Sequence, residues 1–227
     1  MSRHVIFNAD DLGLSDGINR GILTAHARGV VTSASLMVTA PAARAAVDMA
    51  REHPGLSLGL HWDVRGEEGR DFPLEDPGAV RAEFERQLDE FAALVGRPPT
   101  HVDSHQHAHR EGCAEEVIRE LVAPLGVPVR GDGSVACVGG FYAQWEWLVT
   151  DLRRVSLEFL CELIRDEVGD GWTELSCHPG YLSPDYAGVY GVEREAELRT
   201  LTDPRLPEAL ARERIILATY ADLGRDG

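Results

Sequence analysis

The chain contains no lysine: all 22 of its basic residues are arginines, set against 38 acids. That absence excludes a Schiff-base lysine, a P-loop lysine and a carbamylated-lysine metal bridge. Positive charge is scarce as well, with a formal net charge of −16. A surface that acidic repels nucleic-acid phosphates and anionic membranes. It also disfavours polyanionic substrates, while leaving neutral sugars untouched. No run of about 18 apolar residues occurs, so no transmembrane helix is expected. Met1-Ser2-Arg3-His4 leads straight into a strand-like run without the zones of a signal peptide, so a cytoplasmic location is expected. The four cysteines, Cys113, Cys137, Cys161 and Cys177, form no C-x-x-C pair. A zinc knuckle or thioredoxin motif is thereby disfavoured, and buried, reduced, structural thiols are expected.

What is present is a regular alternation of apolar strands and helical patterns, without repeats, low-complexity tracts or dividing linkers. Strands are expected at 4–8, 30–38, 56–60, 101–103, 127–130, 135–138, 172–177 and 215–219. Ser15 is placed to cap a helix through Arg28, and Pro41 fits the first turn of a helix ending near His53. Further helices are expected at 79–95, where Phe84, Leu88, Phe91 and Val95 recur at helical spacing, and at 111–122, 147–168 and 193–201. Such alternation predicts a parallel sheet with helical crossovers. Seven or eight units in this length predict an α/β fold: a parallel-stranded, distorted (β/α) barrel in a single domain, with a doubly wound open sheet as the alternative.

Polar clusters fall where those strands end. Asp10-Asp11 follows the first, His61 the third, His105 and His107 the fourth, while Arg130 ends the fifth and His178 follows a late one. Ligand sites in parallel α/β folds lie beyond the carboxyl ends of strands, so five elements converge on one rim. In Asn8-Ala9-Asp10-Asp11-Leu12-Gly13, two adjacent acids can divide two tasks, one binding a cation and the other acting as a base; Gly13 permits a tight turn. Four histidines and an acid lie within nine residues, from His101 to His109. Imidazole suits zinc and similar ions, and Asp103 can orient a ligand. Read as an extended segment, this stretch puts His101, Asp103, His105, His107 and His109 on one face, so spacing alone does not choose the ligand. In Ser176-Cys177-His178-Pro179-Gly180, Pro179 pushes His178 toward an extended conformation, and His178 is the natural acid in the second half of the chain.

The stretches NADDLGLSDGINRGI, GVVTSASLMV, LGLHW, RPPTHVDSHQHAH, SCHPGY and TYADL resemble the YdjC (ChbG-like) carbohydrate deacetylase family, and the resemblance spans nearly the whole chain. It implies one domain over residues 1–227, a distorted barrel that binds one divalent cation and removes acetyl groups from chito-oligosaccharides or related N-acetyl sugars. It further implies that Asp11, His61 and His105 hold the metal, zinc (Zn2+) or magnesium (Mg2+), that Asp10 is the catalytic base and that His178 is the acid. A homodimer is a further expectation of the resemblance. Gln106 departs from the family pattern, standing where many relatives carry another histidine, and the loops Trp62–Pro77 and Gly131–Gly140 are short and idiosyncratic. Those loops are expected to line the substrate cleft, with His107, Arg130 and Trp62 as substrate-binding candidates. For Arg130 a core-capping ion pair, and for Trp62 simple packing, are the competing readings. A phosphoesterase or amidohydrolase, or a sugar-binding module without catalysis, are the competing functions. A binuclear amidohydrolase wants the missing lysine, and a phosphoesterase wants a basic cleft.

Overall fold

The computed structural model describes residues 2–146 and 148–223. Seven strands occur among these residues: β1 (Arg3–Leu12), β2 (Ser33–Leu36), β3 (Ser57–Trp62), β4 (Val102–Ser104), β5 (Ala136–Val138), β6 (Gly171–Cys177) and β7 (Ile215–Leu217). The helices are α1 (Asp16–Arg28), α2 (Ala43–Ala50), α3 (Pro77–Val95), α4 (Ala114–Val122), α5 (Leu157–Glu167), α6 (Val192–Leu201) and α7 (Leu206–Arg212). The sheet runs β4-β3-β2-β1-β6-β5, and β7 joins the first residues of β1. Every pair of these strands is parallel. This is the expected barrel in a curled, half-closed form, with β4 and β5 at its two ends. No helix among the described residues is long and apolar enough to cross a membrane.

Local chemistry explains most boundaries. Ser15 caps α1 by accepting from the Ile18 amide, and Ile18, Ile22 and Ala25 are buried beneath the helix. Asp76 caps α3, Pro77 occupies its first turn and Gly96 closes it in the left-handed region at φ 82°. Val80, Phe84, Gln87 and Phe91 then form the buried stripe of that helix. One core cluster joins Val80, Phe84 and Phe91 to Phe7 and Leu12 of β1, Leu36 of β2 and Leu60 of β3. β1 to β3 are buried almost throughout, as strands covered on both faces must be.

Several expectations change. The strand foreseen at 127–130 contracts to one parallel bridge, Val102 to Val129. Pro128 has no amide to donate, and the Asp132 side chain takes the Val129 amide. The helix foreseen from Pro41 starts at Ala43, because the Ala42 amide donates to Gly13 and its carbonyl accepts from Asn19 Nδ2. In the helix foreseen over 147–168, Trp147 lies outside the described residues. Leu148 has φ 63°, Asp151 and Ser156 each cap a new start, and regular α-helix begins at Leu157. All four cysteines are free, but only Cys177 is buried, so the expectation of four buried thiols fails for the other three.

Phe84 lies 6.3 Å, ring to ring, from Trp62 and is wholly buried. Replacing Phe84 by Ala is expected to lower unfolding free energy by about 3–5 kcal/mol, read by urea denaturation. A loss below about 1 kcal/mol would contradict this packing.

Candidate metal centre and active site

β1 carries Asp10 and Asp11 into the carboxyl edge of the sheet, where both are buried. Side chains alternate along a regular strand, so neighbouring acids would face opposite sides. Here the β1–β2 register shifts between Ala9 and Leu12, and Asp11 sits at φ 67°. Such bulges re-aim side chains, and a left-handed non-glycine residue is strained. Gly13, at φ 100°, then turns the chain into α1.

Asp11 Oδ1 lies 3.2 Å from His105 Nδ1 and 3.3 Å from His61 Nε2. One ligand atom from each of Asp11, His61 and His105 falls within 4.8 Å of the others. His61 comes from β3, and its Nδ1 donates to Asp103 Oδ1 of β4 at 2.7 Å. That bond fixes the ring and turns Nε2 toward Asp11. Burial opposes charge on His61, but Asp103 outweighs it and lifts the ring well above the usual imidazole range. On His105, burial is likewise overcome, by the hydrogen bond to Asp11 and the nearby Glu67 carboxylate, and the ring rises to about 9. Burial also opposes the charge of Asp11, but the Arg194 guanidinium holds its carboxyl well below the usual carboxylate range. The pocket therefore draws positive charge between one carboxylate and two imidazoles. His105 Nε2 is buried without a hydrogen bond, although Glu67 Oε1 stands 3.3 Å away. A borderline-soft divalent ion fits this donor set.

Asp10 turns the other way. Arg130 grips it at both oxygens, Nη1 to Oδ2 at 2.7 Å and Nη2 to Oδ1 at 2.6 Å. The same guanidinium reaches Asp103 Oδ2 at 2.6 Å and Glu174 Oε1 at 2.5 Å. Burial would raise Asp10, but Arg130 prevails and keeps it ionised. His178 Nε2 stands 3.8 Å from Asp10 Oδ2, and its Nδ1 faces Glu197 Oε1 at 3.9 Å. The backbone amide of His178 donates to Glu197 Oε2 at 2.5 Å. α1 reaches this turn closely: a Cβ on Gly21 would lie 2.4 Å from Gly180 Cα, which only glycine permits.

The remaining expectations divide. Arg130 spends its donors on buried carboxylates and has no free face for a substrate, so the ion-pair reading replaces substrate binding. Trp62 is wholly buried, edge-on to Phe72 at 6.0 Å, and presents no ring face to a sugar. The extended reading of residues 101–109 also fails, because His105–Arg110 coil into a 3-10 turn with Gln106 and His107 at positive φ. His105 turns inward and His107 outward to solvent, while His109 is buried against Ser104 and the Arg130 carbonyl. His101 stacks on Tyr220 at 3.9 Å and contacts Ser35 Oγ. His178, expected as a protonated acid, is pushed down to about 4 by burial, so it rests as a neutral ring at pH 7.

The profile of the YdjC-like protein family matches residues 4–212. The chain belongs to the YdjC family. Among its relatives in that family, a carbohydrate deacetylase of Geobacillus stearothermophilus is 36% identical, over 98% of both chains. A chitooligosaccharide deacetylase of Serratia marcescens is 31% identical, over 98% of this chain and all of the other. In fold, this YdjC-family chain is similar to a protein from Enterococcus faecalis V583 described as a cellobiose-phosphate cleavage protein. The TM-score is 0.81 at 24% identity, covering 98% of this chain and 99% of the other.

Sequence reasoning missed Arg194, Glu197, Glu67 and Tyr142. Arg194 and Glu197 share one face of α6 with Leu198 and Leu201, at i, i+3, i+4 and i+7. Two charges on an apolar stripe were the available signal. Glu67 lies in a loop without periodicity. Tyr142 stacks on Tyr190 at 4.5 Å, its ring 5.3 Å from that of His178.

Replacing Arg130 by Met is expected to cost about 3–5 kcal/mol of stability, because carboxylates on three strands lose their shared counter-charge. Equilibrium denaturation of the variant checks this, and an unchanged midpoint would refute the shared role.

Proposed function

We propose that this chain is a metal-dependent deacetylase that removes the acetyl group from an N-acetylated amino sugar or chito-oligosaccharide. The observation that carries this reading is the meeting of Asp11, His61 and His105 beside the ionised Asp10 and the neutral His178. Relatives named carbohydrate deacetylase and chitooligosaccharide deacetylase, at 31–36% identity over nearly the full chain, support the sugar amide as substrate.

Asp11, His61 and His105 would hold zinc (Zn2+) or magnesium (Mg2+), of which the two imidazoles favour zinc. When bound, such a cation supplies Lewis-acid polarisation of the acetyl carbonyl and acidifies water. The chain's own groups manage the protons. The carboxylate of Asp10, held by Arg130, accepts a proton from the attacking water as its oxygen bonds the carbonyl carbon. Asp10 Oδ2 faces His178 Nε2 across 3.8 Å, a gap that this proton crosses. The C–N bond then breaks with its electron pair on nitrogen, and His178 delivers the proton there. Acetic acid and a free amine leave, the acid then losing its remaining proton to solvent as acetate, and His178 returns to its neutral resting state. Glu197 holds the His178 backbone amide, and Tyr142 and the exposed His107 stand at the rim where a sugar enters.

Purified protein is expected to release acetate from N-acetylated chito-oligosaccharides, to lose this activity on chelation and to regain it with one ion. Release of phosphate from a phosphoester, without acetate from any sugar, would overturn the assignment. Asp10→Asn is expected to keep the metal and lose at least about 10²-fold in turnover. Unchanged turnover in that variant would remove the base, and a non-catalytic sugar-binding module would show no turnover in the parent.

A further inference from the structure

Asp11 has two oxygens, and the structure treats them differently. Oδ1 faces both imidazoles. Oδ2 accepts from Arg194 Nη2 at 2.6 Å, with both side chains almost wholly buried. We propose that Arg194 is a positioning residue which sets the denticity of Asp11: by occupying Oδ2, it leaves Oδ1 as the single oxygen offered to a divalent cation.

The guanidinium is itself anchored. Its carbon lies 5.1 Å from the Tyr186 ring centroid and 5.7 Å from that of Tyr190. Nη2 also reaches Tyr186 Oη at 3.5 Å, and Nη1 reaches the His178 carbonyl at 3.4 Å. The backbone is held too, since the Arg194 carbonyl accepts from the Gly180 amide at 3.2 Å. An arginine does not lose its proton when buried, so Oδ2 stays occupied at any working pH. Asp11 has little freedom to swing away from it, because its backbone is held in the left-handed region. A carboxylate that binds through two oxygens uses an extra coordination position. Restricting Asp11 to one keeps a position open for water or for the acetyl carbonyl. Through the His178 carbonyl, the same side chain ties the ligand to the segment that carries the proton donor.

This inference rests on the metal centre proposed above, and cobalt(II) uptake separates the two. The parent, Arg194→Met and Arg194→Lys proteins are stripped of metal, loaded with cobalt(II) and compared by visible absorption. Absorption by cobalt(II) weakens as its coordination number rises. The Arg194→Met protein is expected to bind cobalt with a several-fold weaker visible band, as Oδ2 joins the shell, and Arg194→Lys to stay near the parent. Bands of equal strength in the parent and Arg194→Met would overturn the role of Arg194 alone. A parent that takes up no cobalt overturns the centre and this inference together. Should Arg194→Met fail to fold, X-ray absorption or a crystal structure of the cobalt-loaded parent decides. One Asp11 oxygen at bonding distance, about 2.0–2.2 Å, supports the proposal, and two overturn it.

Discussion

The Arg130 guanidinium, buried under the carboxyl edge of the sheet, holds Asp10 of β1, Asp103 of β4 and Glu174 of β6 within 2.5–2.6 Å of one nitrogen. Three carboxylates in so small a volume repel one another, and each resists desolvation. Their shared cation is what allows them to coexist. The consequences spread outward. Asp103 fixes the orientation of the His61 ring, so the ring that faces Asp11 is aimed by a residue that Arg130 holds. Asp10 keeps its charge only because both its oxygens are held. Glu174, the carboxylate that burial pushes up, receives the Tyr220 hydroxyl, and this draws the segment after β7 into the same network. The ends of the sheet and the orientation of the site thus share one cause.

A second constraint is local. Two adjacent acids serve different neighbours only because the strand that bears them is irregular. A regular β1 would send Asp10 and Asp11 to opposite faces of the sheet. The register shift and the positive φ of Asp11 bring both to the same edge, with Asp10 toward Arg130 and His178 and Asp11 toward His61, His105 and Arg194. That strain is retained because charge-assisted bonds on both carboxylates over-determine it.

Most of the strand and helix order was legible in the sequence because periodicity is a local signal, but the short α7 was not foreseen and the strand at 127–130 shrank to a bridge. The grouping of Asp10, Asp11, His61, His105 and His178 was legible because parallel α/β folds deliver strand ends to one rim. What escaped was set by neighbours distant in sequence. Nothing near Arg130 tells that its donors meet Asp10, 120 residues earlier. Strand alternation failed for His107, because the chain leaves β4 in a 3-10 turn whose positive φ values no side-chain pattern marks. For Trp62, at the end of an apolar strand, the sequence left sugar stacking and simple packing open, and packing holds: α3 folds over it and supplies Phe84 as its neighbour.

The missing lysine acquires a physical meaning in this centre. Asp10, Asp11 and Asp103 are balanced by Arg130 and Arg194, both buried and both permanently charged. A buried lysine readily gives up its proton, and its compact ammonium cannot grip both oxygens of a carboxylate in one plane. Arg194 takes Asp11 Oδ2, so Oδ1 is the oxygen left between two imidazole nitrogens. Asp103 first, and Asp11 after it, favour a proton on His61 strongly enough to overcome burial. A divalent cation at the proposed site would compete with that proton for the same Nε2 lone pair. The arginines therefore do more than hold the acids in place. They also decide which carboxylate oxygen faces the imidazoles, because Arg194 occupies Oδ2 of Asp11 and leaves Oδ1.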